Sequence, residues 1–357
     1  MHSILHLSKY YLPNLGGIES AVKSITESNN PNFEHTVLTN SKNTEIRLLN
    51  NVRVVDRKSF SVFSQPISLS YCLWYLLNRK KFSIIHLHLP NYVSALLVLL
   101  FPPKKLIVHW HASIDNVHEN VFLIGLKFLE SKILMLSNRI IIGTKTYASG
   151  TKILSKFNNK IEFIPYGCDS SYIKGIKKEN LLISVGRLVP YKGYLELIKH
   201  IEIPNDWCWR IVGNGPLFNE IKKIIDVNGL NDKIQVYNDL NNEEVKKMLS
   251  RSKIFLFPSL TRQESFGISQ IEAISAGCVP INFDIPDSGV GELIKNNIYG
   301  FSIDHKNYSK FNNAIDKLIK NKDLLNEFSN EAIKNYNKFF TKVSFTDKIF
   351  MVYKKLI

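Results

Sequence analysis

The sequence predicts an α/β protein built from two parallel sheets, one in each half of the chain. Three observations predict it. Short apolar runs recur throughout, segments of helical spacing separate most of them, and the pattern stops and restarts near Tyr166-Gly167-Cys168-Asp169. Strands that alternate with helices pair in parallel and have both sheet faces covered. A chain of 357 residues also exceeds what one core usually organises.

The first series opens with a strand at Ile4–Leu7 and a helix at Ile18–Ser28 after a Gly-Gly turn. Strands follow at His35–Leu38 and Val52–Val55, then a helix at Ile67–Leu77 and a strand at Ile84–Leu89. The longest apolar run, Val93–Phe101, is too short to span a bilayer. Leu106–Trp110 and Arg139–Ile142 are strands on either side of an amphipathic helix, and Ile161–Ile164 ends the series. The polar, lysine-rich Lys174–Asn180 leads into the second series. Its strands are Leu181–Val185, Trp209–Val212, Ile234–Tyr237, Ile254–Phe257 and Val279–Ile281, with helices at Leu217–Asn228 and Glu243–Ser250. The tail from Phe345 has helical spacing and is expected to pack back on the first domain. The expected domains are 1–168 with the tail helix from about residue 343 to 357, and 169–342, both Rossmann-like.

Composition narrows the class. A hydrophobic content of 45% with 22% charged residues is that of a soluble globular protein. The four cysteines, Cys72, Cys168, Cys208 and Cys278, have no metal or disulfide spacing, which indicates a reducing cytosol and a cytoplasmic protein. The N-terminus enters a strand at once, without signal-peptide layout. The net charge is +15, and residues 1–168 hold most of the excess, with 19 Lys and Arg against 9 Asp and Glu. Such a surface attracts nucleic acid, anionic lipid or phosphorylated substrates. No nucleic-acid-binding signature accompanies it, so nucleic acid is not an expected partner. Gly213-Asn214-Gly215-Pro216 follows a strand but lacks the third glycine of a dinucleotide fingerprint, and no Walker A sequence is present.

Four segments at strand carboxyl ends carry candidate chemistry. Gly16-Gly17-Ile18-Glu19 lets backbone approach a ligand at a helix start. His109-Trp110-His111 follows a strand, with His88 on the strand before it. No acidic ligand stands near at useful spacing, so a polar contact by His111 is favoured over a metal site. In Gly186-Arg187-Leu188-Val189-Pro190-Tyr191-Lys192-Gly193, two cations converge on a helix mouth, which suits a diphosphate. Glu264 and Glu272 have seven residues between them, with Phe266-Gly267-Ile268 opening the helix that carries the second. Paired carboxylates can be the acid and base of glycoside hydrolysis or can grip sugar and ribose hydroxyls.

In this order and spacing the segments resemble a retaining glycosyltransferase of family 4, the glycosyl transferases group 1 class, with a GT-B fold of two Rossmann-like domains facing across a cleft. The resemblance covers nearly the whole chain and includes Ile164-Pro165-Tyr166-Gly167-Cys168-Asp169 and Val212-Gly213-Asn214-Gly215-Pro216. It implies a nucleotide-sugar donor in the second domain and a saccharide acceptor in the first. By that resemblance Arg187 and Lys192 neutralise the departing diphosphate, with Gly213 in the donor pocket. Glu272 holds ribose hydroxyls, and Glu264 with the backbone of Phe266, Gly267 and Ile268 holds the transferred sugar and phosphate. Gly16 and Gly17 close over the phosphates, and His111 contacts the sugar near its anomeric carbon. No cofactor and no metal are implied, because Arg and Lys do the work of a cation. Relatives commonly carry a glycine where this chain has Asn238-Asp239-Leu240, which leaves the nucleobase, uracil or guanine, open. Asp287-Ser288-Gly289-Val290-Gly291-Glu292 matches the usual turn only loosely.

For the acceptor, Arg79-Lys80-Lys81, Lys104-Lys105 and the apolar stretch Val121–Leu136 suggest peripheral contact with an anionic membrane on its inner, cytoplasmic face. The expected reaction moves a hexosyl or N-acetylhexosaminyl group to a polyprenyl diphosphate-linked saccharide in bacterial O-antigen or capsule synthesis. A nucleotide-sugar 2-epimerase of similar two-domain fold, or transfer to a soluble or glycolipid acceptor, is the alternative.

Overall fold

A computed structural model of the chain describes residues 1–13, 16–62, 65–113 and 121–357. They divide into two compact units, Met1–Gly167 with Lys342–Ile357 (unit 1), and Cys168–Thr341 (unit 2).

Unit 1 runs β1 (His2–Leu7), α1 (Gly17–Thr26), β2 (Phe33–Ser41), β3 (Glu45–Leu49), β4 (Val52–Lys58), a hairpin of β5 (Phe60–Val62) and β6 (Gln65–Ile67), α2 (Leu69–Asn78), β7 (Ile84–Leu89), α3 (Tyr92–Leu100), β8 (Leu106–Trp110), α4 (Val121–Leu136), β9 (Arg139–Ile142), α5 (Lys145–Ser149) and β10 (Ile161–Phe163). The sheet order is β10-β9-β8-β7-β1-β2-β4-β3, parallel except for β3 against β4. Ser68 and Asn91 cap α2 and α3 by accepting from the amides of Tyr71 and Ser94.

The two-residue period of the strands sorts this sheet into two unlike faces. Leu5, Leu7, Ile85, Leu87, Leu89, Val108 and Trp110 share one aliphatic core with Tyr71, Tyr75, Val98 and Ile133 of α2, α3 and α4. The intervening positions on β1, β7 and β8 are His6, His86, His88 and His109, all buried.

Unit 2 continues with β11 (Leu181–Val185), α6 (Tyr194–His200), β12 (Cys208–Val212), α7 (Phe218–Val227), β13 (Ile234–Tyr237), α8 (Asn242–Arg251), β14 (Ile254–Phe257), α9 (Ile268–Ser275), β15 (Val279–Asp284), β16 (Phe301–Asp304), α10 (Tyr308–Lys320) and α11 (Lys322–Asn335). Its sheet is wholly parallel, in the order β13-β12-β11-β14-β15-β16. Its core is aliphatic and aromatic on both sheet faces, including Trp209, Phe255, Phe257, Phe283 and Phe311. A last helix, α12 (Lys342–Leu356), returns to unit 1. There Phe350 stacks on Phe33, and the Tyr353 hydroxyl lies 2.7 Å from His86 Nδ1, so the tail helix packs as expected.

The elements that escape the sequence patterns include β3, β16 and α3. β3 and β16 are short edge strands with polar, half-exposed residues, and neither has the apolar run of a central strand. α3 is apolar on nearly every side, so its period is muted.

Candidate active site

Strand order in unit 2 reverses between β11 and β14, which lie side by side in parallel register with Leu182 opposite Ile254. A crevice forms at the carboxyl ends of such a pair. The chain leaves β11 through Gly186 and Arg187, and leaves β14 through Pro258 and Ser259 towards Glu264. Lys192 therefore meets Glu264 across the switch point, and the two form an ion pair. Lys192 is buried, its ammonium lies 4.9 Å from the centre of the Phe257 ring, and the Ser259 hydroxyl stands 3.5 Å from the Glu264 carboxylate. Arg187 is exposed and makes no ion pair among the described residues. Both Arg187 and Glu264 act on Tyr191. Burial and the Glu264 charge push its phenol up to about 12, while Arg187 opposes the shift.

Two glycines allow the loops to close. A Cβ on Gly213 would lie 1.8 Å from the Gly186 carbonyl oxygen, so the loops after β11 and β12 touch backbone to backbone. The Gly186 amide donates to the Val212 carbonyl at 3.0 Å, and the Leu188 amide to Asn214 at 2.8 Å. Gly267 caps α9 with φ +88°, a left-handed conformation that side chains disfavour. Phe266 is buried beneath this turn. The amides of Ile268 and Ser269, the first two of α9, have no partners within the helix and are available to an anion, whereas the Gln270 amide donates to the Gly267 carbonyl at 2.9 Å.

The Glu264 loop is held from behind. The Ser288 hydroxyl donates to the Glu264 carbonyl, and the Gly289 amide to Ser265 at 3.1 Å. Gln270 is fully buried and accepts from Asn282 at 2.7 Å. Ser259, Ser288, Gly289 and Asn282 were not singled out from sequence. Ser288 and Gly289 lie in the loosely matching turn Asp287–Glu292, and their use is a long-range contact.

Glu272 is half-buried one turn further along α9. Burial pushes its carboxyl up to about 7, opposed by Lys246. The Cys168 thiol is pushed up by burial and by Glu272 and Asp169, so Glu272 faces the first residues of unit 2. The site thus joins two cations, a helix N-terminus and two carboxylates of different environment. Cations and amides suit a diphosphate, and carboxylates suit hydroxyls.

In unit 1, strand order reverses between β1 and β7. Gly16 caps α1 just beyond β1, and Gly17 is exposed on its first turn. His111 lies immediately after β8 and is buried. Its Nδ1 lies 2.7 Å from the Tyr166 hydroxyl and its Nε2 3.0 Å from His88 Nδ1, so both ring nitrogens are engaged within unit 1. Burial pushes the ring down to about 3, which keeps it neutral.

Residues 171–335 match the Glycosyl transferases group 1 family. Over 99% of its length the chain is 22% identical to an Escherichia coli protein, O-antigen chain mannosyltransferase C, of which it covers 98%. Over 32% of its length it is 29% identical to a GDP-mannose:cellobiosyl-diphosphopolyprenol alpha-mannosyltransferase of Xanthomonas oryzae pv. oryzae, of which that match covers 33%. Among solved structures, Anabaena HepE in complex with UDP superposes with a TM-score of 0.78 at 16% identity, covering 99% of this chain and 100% of that one, which shows a shared fold.

Proposed function

We propose, for a chain that carries a Glycosyl transferases group 1 domain and is a glycosyltransferase of GT-B fold, that unit 2 binds the nucleotide-sugar donor at the β11–β14 switch point. The observation that carries this reading is the meeting of Lys192 with Glu264 there, beside Arg187 and the start of α9. Breaking the bond from sugar to diphosphate builds negative charge on the leaving oxygens and positive character on the ring. Arg187, Lys192 and the α9 amides are fixed where that leaving charge develops, which lowers the barrier. Glu264 accepts from hydroxyls of the transferred sugar and Glu272 from the ribose. The configuration is retained through front-face attack, with the departing phosphate taking the acceptor's proton. Unit 1 binds the acceptor, with Gly16 and Gly17 approaching phosphate. A sugar contact by His111 requires release of one of its two ring hydrogen bonds.

The acceptor is a saccharide on a polyprenyl diphosphate, in O-antigen or capsule synthesis. The names of the Escherichia coli and Xanthomonas relatives support that reading. So does the outer surface of unit 1. Right-handed crossovers place α2, α3 and α4 side by side on the aliphatic face of the sheet. Their outward stripes are apolar: Leu69, Leu73 and Leu77 on α2, Leu96 and Leu100 on α3, and Ile124 and Phe128 on α4 are all exposed. Between Leu69 and Arg139 the sequence has eight Lys and Arg against three Asp and Glu, and Glu130 is buried against Tyr92. An apolar surface with a cationic rim fits an anionic bilayer and repels a second copy of itself. Among the described residues no helix is long and apolar enough to cross a membrane, so the contact is peripheral.

Two experiments test these readings. The protein is incubated with a panel of nucleotide sugars and polyprenyl-linked acceptors, and the product is identified by mass spectrometry and linkage analysis. Transfer is expected, and its loss in Arg187→Ala and Glu272→Ala with unchanged circular dichroism. Full transfer in either variant refutes the site, and a changed sugar still on its nucleotide means an epimerase. Flotation on phosphatidylglycerol vesicles tests the surface. Wild type is expected to float and Leu73→Glu to stay in solution, whereas equal recovery on anionic and neutral vesicles counts against docking.

A further inference from the structure

Apart from the His111 contact, donor binding gives the histidine face of unit 1 no role. His6 and His86 are cross-strand partners on β1 and β7, and His88 follows two residues on, so all three rings project from one face. His35, from β2, His109, from β8, and His111, the residue after β8, flank them. All six are buried, and burial pushes every ring below its usual range, so they are neutral.

Their hydrogen bonds form a chain. His35 Nδ1 lies 3.0 Å from His6 Nε2, His6 Nδ1 lies 3.1 Å from His88 Nε2, and His88 Nδ1 lies 3.0 Å from His111 Nε2. His86 stands beside this chain, stacked on His88 with ring centres 4.3 Å apart. Its Nδ1 is held by Tyr353, and its Nε2 is buried without a partner among the described residues. A buried nitrogen left so loses its hydration with no bond to offset it.

We propose that His6, His86 and His88 bind a divalent transition-metal ion, zinc in the first instance. One ligand nitrogen from each ring lies within 4.8 Å of the others. Tetrahedral zinc with bonds of about 2.0–2.1 Å sets its ligand nitrogens roughly 3.3 Å apart. His6 Nδ1 and His88 Nε2 are already 3.1 Å apart, so the ion takes the place of the proton they share. It also supplies His86 Nε2 with the partner it lacks. Each ligand ring is held at its other nitrogen, His6 by His35, His88 by His111 and His86 by Tyr353. Such outer contacts orient metal-bound imidazoles. Three neutral nitrogens select zinc, copper, nickel or cobalt over magnesium or calcium. A water in the fourth position would be acidified by the ion, and release of its proton to solvent would leave a hydroxide that offsets part of the buried charge. No carboxylate stands near these histidines, which argues against a metal on sequence grounds, but an all-imidazole set needs none. The site is independent of the donor-site reading, and its role is to tie β1 to β7.

The test is metal binding by the full chain. Chelator-treated protein is dialysed against micromolar zinc or cobalt, and bound metal is counted by mass spectrometry. One equivalent is expected in wild type, with the visible absorption of tetrahedral cobalt. His86→Phe is expected to weaken binding at least a hundredfold, and His109→Phe to keep it. His86→Gln, which keeps a polar group, is measured beside His86→Phe so that a folding defect in one does not decide the result. No bound metal in wild type overturns the proposal. So does a full equivalent in both His86 variants, or loss in His109→Phe alone, which would move the ion to His88, His109 and His111.

Discussion

The two units repeat one architecture but handle interior polarity in opposite ways. Unit 1 buries six neutral histidines on one face of its sheet. Unit 2 buries the uncharged Ser184 and Asn282 within its strands and places the charged groups of its site beyond the strand ends, as the Lys192–Glu264 pair and the half-buried Glu272. The difference teaches that parallel α/β topology fixes where a crevice lies but not what the sheet face beside it is made of. It also gives the units opposite responses to acid.

The largest expected effect is on unit 1. Its histidines have folded pKa values below the unfolded value of 6.5, so their contribution to stability is complete above 6.5 and is lost as pH falls. Each ring kept neutral by the fold costs up to about 1.4 kcal/mol per pH unit as pH falls below 6.5, so acidification weighs on unit 1 first. Hydrogen exchange is expected to show β1, β7 and β8 losing protection on acidification before β11 and β14. Simultaneous loss in both units would break the comparison.

Next in size is the ion pair. Glu264→Ala or Lys192→Ala leaves a buried charge without its partner and should cost unit 2 about 3–5 kcal/mol. The double variant should cost clearly less than the sum, as read from denaturant midpoints. Additive losses would mean the pair is not coupled. Gly213→Ala drives a methyl group into the Gly186 carbonyl and should cost about 2–3 kcal/mol in the same measurement.

The smallest effect sharpens the contrast in pH response. The folded pKa of Glu272 is raised from 4.5 to about 7, so the folded state holds the proton more tightly. Its contribution is present below 4.5 and is lost as pH rises through 7, on the order of 2 kcal/mol after allowance for partial solvent access. Glu272→Gln should flatten that slope in unit 2. If Glu272 holds ribose as its carboxylate, nucleotide-sugar affinity should rise through pH 7 in wild type and stay level in Glu272→Gln.

Much of this was legible in the sequence. Apolar runs located the central strands of both sheets, and Arg187, Lys192, Glu264 and Glu272 stood out because each follows a strand end. The partner of Lys192 was not legible, because β11 and β14 are far apart in sequence and become neighbours only when strand order reverses. The histidine face was half legible. Leu87-His88-Leu89 and Val108-His109-Trp110 show the alternation, but His6 and His35 join them only through the order β8-β7-β1-β2.

Whether the β11–β14 switch point of unit 2 holds the donor diphosphate is read by titration calorimetry. UDP and GDP sugars are titrated into wild type and Arg187→Ala. At least a tenfold loss of affinity in the variant is expected for whichever nucleotide binds, and equal affinity in both proteins would contradict that placement.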